Sequence, residues 1–160
     1  MIRTLVILAI ITAAASCGKK CTCEFETIPP AFVGYNNSEI DTIIIKRFEK
    51  GSNFSRQVDS FTLTVSNTVY SRTGTDTTLV YPQNTSQRLS EDSDWQLTNP
   101  FDNRTIRVSD IVVEKRVSHC GGIFSMDKQY CISPVASFNR DGVLTKLDMT
   151  SPFHAIIIKK

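Results

Sequence analysis

Five cysteines, two histidines and a single tryptophan carry most of the special chemistry open to this 160-residue chain. Cys17, Cys21 and Cys23 crowd near the N-terminus, and Cys120 and Cys131 lie far along the sequence. Thiols can bridge to one another or ligate soft metals. His119 and His154 are widely separated, and His154 precedes an apolar run, the usual setting of a hydrogen-bonded structural imidazole. The Gly-x-Ser-x-Gly elbow, the glycine-rich phosphate loop and the His-Glu-x-x-His zinc motif are all missing, so no catalytic residue is assigned and a non-enzymatic protein is expected. Glu91, Asp92, Ser93 and Asp94 offer oxygen ligands without the Asp-x-Asp-x-Asp-Gly spacing of a calcium loop, and read as a solvated loop. Trp95, with Tyr70, Tyr81 and Phe101 near it in sequence, is either a sugar-stacking platform or a core residue.

The elements that must position these groups are strands. Apolar residues make up 41% of the chain and charged residues 21%, which suits a folded domain and excludes a disordered tail. A net charge of +2 is too small for a phosphate-binding face, so nucleic acid is not an expected partner. Ile43, Ile44 and Ile45 form a continuous block within Thr42 to Phe48, predicting a central strand covered on both faces. Phe61, Leu63 and Val65 alternate with polar residues, Thr77 to Tyr81 follows a polar turn, and Asp94 to Thr98 carries the tryptophan. The stretch from Thr105 to Ser118 reads as one strand bent near Ser109-Asp110. Asn139-Arg140-Asp141-Gly142 reads as a four-residue hairpin turn between Val135 to Phe138 and Val143 to Leu147, and His154 to Lys159 as a closing strand paired inside a sheet. The predicted fold is all-β: a two-sheet antiparallel sandwich of immunoglobulin-like or transthyretin-like type, with a small β-barrel as the alternative.

The N-terminus places Arg3 before an apolar run from Leu5 to Ala15, ended by Ser16, Cys17, Gly18, Lys19 and Lys20. A run of about 11 residues is short of the roughly 18 that span a bilayer, and reads as a secretory signal. Its end, Ala14-Ala15-Ser16-Cys17, resembles the lipobox of bacterial lipoproteins. That resemblance covers only the first seventeen residues. It implies cleavage before Cys17, acylation of Cys17 and a membrane anchor; the plainer alternative is a signal peptide cut after a small residue. Gly18 is not the aspartate that retains enteric lipoproteins at the inner membrane, and Lys19 and Lys20 are not the acidic residues used for surface export in some bacteria. The resemblance therefore implies an outer-membrane protein facing the periplasm, with surface exposure as the alternative. Residues 1–16 are read as signal peptide, 17–35 as lipid anchor and N-terminal arm, marked by Pro29-Pro30, and 36–160 as a single β-sandwich domain.

With Cys17 given to lipid, Cys21, Cys23, Cys120 and Cys131 remain for disulfides in an oxidising compartment. Cys21 and Cys23 in an extended segment sit at about 7 Å between α-carbons, too far for a bridge. The favoured arrangement bonds each of them to one of Cys120 and Cys131; the alternative bonds Cys120 to Cys131. Asp76-Thr77-Thr78 and Asp41-Thr42-Ile43 resemble a bacterial O-glycosylation sequence, and Thr77, beside a turn, is the better acceptor.

These readings converge on a lipid-anchored envelope lipoprotein working as a non-enzymatic binding or structural module, with no cofactor. Its expected partners are the membrane, through the acylated N-terminus, and an envelope protein or glycan. Two alternatives stand beside it. One is a carbohydrate-binding accessory lipoprotein built around Trp95, and the other is a copper- or zinc-handling protein using the cysteines and His119.

Overall fold

The computed structural model describes residues 20–73, 76–84, 87–119, 132–148 and 154–160. In chain order its strands are β1 (Lys20–Thr22), β2 (Glu24–Phe25), β3 (Pro30–Val33), β4 (Thr42–Glu49), β5 (Gln57–Thr64), β6 (Thr68–Thr73), β7 (Thr77–Pro82), β8 (Ser93–Asn99), β9 (Arg104–Val113), β10 (Val117–His119), β11 (Ile132–Ser133), β12 (Val135–Arg140), β13 (Val143–Lys146) and β14 (Ile156–Lys159). Among the described residues the chain forms the 3-10 turns Asn37–Glu39 and Val65–Asn67.

The chain divides into two compact units. The larger, Glu26–Glu114 with Pro134–Lys160, is the predicted two-sheet sandwich. Its six-stranded sheet runs β13-β12-β9-β8-β4-β5, antiparallel throughout, and its four-stranded sheet runs β14-β3-β7-β6. One apolar cluster joins them: Ile43, Ile45, Trp95, Leu97, Ile106 and Val108 from the larger sheet meet Phe32, Val80, Ile156 and Ile158 from the smaller. No sheet closes into a barrel among the described residues. The smaller unit pairs β1 with β10 antiparallel and β2 with β11 parallel.

Several local expectations are corrected. Pro30–Val33, assigned to the arm, is an inner strand of the four-stranded sheet, with Ala31 and Phe32 fully buried. Proline is tolerated there because it opens the strand, where a missing N–H breaks no ladder. β14 pairs with β3 in parallel and lies at the sheet edge, so the sandwich is not wholly antiparallel. β4 buries Ile43 and Ile45 on one face only, and Ile44 is half-buried on the other. Val65 is exposed, because Asn67 ends β5: its Oδ1 accepts the Thr64 N–H at 2.7 Å and its Nδ2 donates to Thr62 O at 2.9 Å.

The stretch 105–118 is two strands. β9 ends at Val113, and β10 belongs to the smaller unit. The bend near Ser109-Asp110 is present: Asp110 has φ 51°, and the β9–β12 register slips between Ser109 and Val113. The β12–β13 turn has two residues, not four, since Arg140 pairs with Val143. Asp141 and Gly142 take φ of 51° and 86°, the left-handed geometry that matches the twist of flanking strands.

Candidate functional site

β9 alternates in the manner of a half-buried strand. Ile106 and Val108 enter the core, and Thr105, Arg107 and Ser109 face away from it. These three residues line a cleft of about 490 Å³ on the outer face of the six-stranded sheet, together with Asn53 and Phe54 on one side and Asp141 and Gly142 on the other.

The first wall is the loop between β4 and β5. Gly51 has φ 72°, and its N–H donates to Asp94 Oδ2 at 2.9 Å. Asp94 is 1% exposed, and its other carboxylate oxygen is buried without a hydrogen-bond partner among the described residues. The solvated loop expected over 91–94 is thus corrected at its end, where Ser93 and Asp94 are buried in β8. Lys50 Nζ donates to Glu91 O at 2.7 Å and adds a second tie. The loop then carries two successive non-glycine residues in the left-handed region, Asn53 at φ 51° and Phe54 at φ 58°. Such residues cost on the order of 1–3 kcal/mol each and persist only where neighbouring contacts impose them. Here the Phe54 ring packs edge-on against Phe48, centroids 5.4 Å apart, and the Arg107 guanidinium lies 5.2 Å over its centre.

The second wall is the β12–β13 tip. Asp141 Oδ1 accepts the Arg107 N–H at 2.8 Å, and the Asp141 N–H donates to Arg107 O at 2.9 Å. This reciprocal pair fixes the tip against β9, and Arg140 Nε lies 3.7 Å from Asp141 Oδ2. The guanidinium of Arg107 pairs with no carboxylate among the described residues, so the cleft presents a cation beside an aromatic ring. The arrangement can receive an anion.

A second polar cluster is structural. Tyr35 Oη donates to Asp102 Oδ2 at 2.6 Å, and burial together with that bond pushes the phenol up to about 12. Burial alone would raise the Asp102 carboxyl, but the Tyr35 hydrogen bond and Arg104 reverse this and hold it below the ordinary range. The Lys160 ammonium donates to Glu39 Oε1 at 2.6 Å, which lowers the Glu39 carboxyl.

The residues singled out from sequence fare unevenly. Trp95 is 1% exposed and its Nε1 donates to Ser90 O at 3.0 Å, so it is a core residue and offers no ring face to a sugar. Thr77 opens β7 half-buried, its hydroxyl donating to Asp76 Oδ1 at 3.3 Å. His154 is a structural imidazole: Nδ1 lies 2.9 Å from Glu26 Oε2 and Nε2 lies 3.0 Å from Asp148 O. Burial lowers its pKa, and the hydrogen bonds to Glu26 and to the Asp148 carbonyl together more than restore it, for a net rise. Cys23 is buried and disulfide-bonded. Cys17, Cys120 and Cys131 lie outside the described residues, as does the side chain of Cys21, whose backbone sits in β1 opposite Ser118. The described residues contain no group of three His, Cys, Asp or Glu able to hold a metal ion.

The cleft was not nominated by sequence. Its signals were present but dispersed: Gly51-Ser52-Asn53 as a turn, Arg107 between two apolar residues, and Asp141-Gly142 as a hairpin tip. Nothing in one dimension joins them. No family model matches this chain, and neither curated proteins nor solved structures contain a match to it.

Proposed function

We propose that this chain is a lipid-anchored cell-envelope lipoprotein, tethered through Cys17 at the outer membrane with its periplasmic side favoured, whose β-sandwich works as a non-enzymatic binding or structural module. The carrying observation is the short apolar run that ends in Ala14-Ala15-Ser16-Cys17. Three acyl chains on that cysteine make a stable anchor, since one chain binds only marginally and each buried methylene adds about 0.8 kcal/mol. A rigid two-sheet scaffold with loops at its ends supplies the displayed part. Membrane lipid is then one partner, and an envelope protein or glycan the other.

The remaining cysteines suit an exported protein. Cys23 directly precedes Glu24, which is paired with Ile132, and Cys131 directly precedes Ile132. Cys21 pairs with Ser118, two residues before Cys120. The register therefore favours a bond from Cys23 to Cys131, which leaves Cys21 for Cys120. Each would close a loop of about 100 residues, worth roughly 4–5 kcal/mol in the chain-entropy account. A disulfide-bonded Cys23 supplies no thiolate to a soft metal, which weighs against the copper- or zinc-handling reading.

Metabolic labelling with an alkyne-tagged palmitate tests the anchor. The wild-type protein should carry label and sediment with membranes, and Cys17→Ala should lose both; an unlabelled wild type refutes the proposal. Peptide mapping without reduction tests the bridges, and a peptide linking Cys120 to Cys131 would refute that pairing.

A further inference from the structure

We propose that the cleft over β9 binds a small hydroxylated carboxylate, such as a sugar acid, with Arg107 as the group that receives the carboxylate. The inference names a ligand class for the binding module proposed above, but it stands on the cleft and not on the anchor.

Four observations carry it. The cleft, at about 490 Å³, is within the range of small-ligand sites. Arg107 is exposed within it and unpaired with any carboxylate among the described residues, so an incoming anion displaces no internal partner. The Arg107 guanidinium lies 5.2 Å from the centre of the Phe54 ring, and the spacing of its forked N–H groups matches the two oxygens of a carboxylate. Asn53 and Phe54 are held in the left-handed region by the buried Asp94 carboxylate on Gly51 and by the Phe48 contact; strain concentrated at a cleft wall is a mark of binding sites.

The lining also narrows the class. Thr105 and Ser109 flank Arg107 on the same face and keep oxygen lone pairs beyond their bonds to Thr98 and Asp110. Asn53 adds an amide. These suit ligand hydroxyls. The Asp141 carboxylate stands at the opposite wall, so a dianion such as phosphate meets more repulsion than the single charge of a carboxylate does. Neutral sugars lack the charge, and the Phe54 ring that could stack them is already covered by Arg107.

Calorimetric titration of the full chain in detergent micelles with glucuronate, glucose and inorganic phosphate tests this. Glucuronate should bind at least about tenfold more tightly than either glucose or phosphate, the margin expected of a charged hydrogen-bonded pair. Arg107→Gln should lower glucuronate affinity by about tenfold or more with an unchanged melting temperature, and Arg107→Lys should recover only part, having the charge without the fork. Absence of glucuronate binding, equal binding by Arg107→Gln, or phosphate binding as tight as glucuronate would each overturn the assignment. None of these outcomes bears on acylation of Cys17, which is read separately by palmitate labelling.

Discussion

The two faces of the six-stranded sheet are built from the same strands and do opposite things. On the inner face Ile43, Ile45, Trp95, Leu97, Ile106 and Val108 are each at most 2% exposed and merge with the other sheet into one core. On the outer face the neighbours of those residues, Thr105, Arg107 and Ser109, floor an open cleft whose walls are turns. The inner face is held by side-chain packing. The outer face is held by left-handed turns, by the Phe48–Phe54 contact and by carboxylates bound to backbone N–H groups, Asp94 to Gly51 and Asp141 to Arg107. Side chains that stabilise and side chains available to a ligand thus alternate along β9 from Thr105 to Ser109.

That division can be broken most forcefully at Trp95. Trp95→Ala should cost about 3–5 kcal/mol by cavity formation and loss of the bond to Ser90, measured by urea unfolding; a cost below about 1 kcal/mol would mean that the inner face does not depend on it. Gly142→Ala tests the backbone side of the comparison. At φ 86° a Cβ should cost about 1–2 kcal/mol although nothing lies within 4 Å of it, and thermal melting should register the loss. An unchanged melting temperature would show that the tip can relax.

His154 offers an intermediate effect with a sign. Its folded pKa is raised above the ordinary value of 6.5, so the stabilisation from the paired imidazolium is fully present below pH 6.5 and is lost as pH rises through the folded value. The wild type should therefore lose stability relative to His154→Gln across that window, and parallel pH profiles of the two would contradict the pairing. The smallest effect belongs to the outer face: Arg107→Gln should change unfolding free energy by no more than about 0.5 kcal/mol, as an exposed cation stacked on one ring. A larger loss would make Arg107 structural and end the division between the faces.

Periodicity made the inner face legible. Ile106 and Val108 alternate with polar residues, and the Ile43 to Ile45 block and the Asp-Gly turn mark strand and hairpin. The bend at Asp110 was readable because two apolar patterns meet out of phase there. β6 was not, since Thr68, Ser71, Arg72 and Thr73 give it little apolar rhythm and it becomes a strand by pairing with β7. Pro30–Val33 misled because proline excludes a helix but does not exclude the first position of a strand. The cleft was illegible for a different reason: Asn53, Arg107 and Asp141 are joined only by the sheet register, which no local pattern states. Trp95 drew attention by residue type, although tryptophan's large apolar area places it in cores as readily as in binding faces.

The proposed tethering rests on one covalent modification, acylation of Cys17, and mass spectrometry of the N-terminal peptide from protein extracted from native membranes reads it directly. The account predicts a peptide beginning at Cys17 and heavier by the mass of its acyl chains. A peptide beginning at Met1, or an unmodified Cys17, would contradict it.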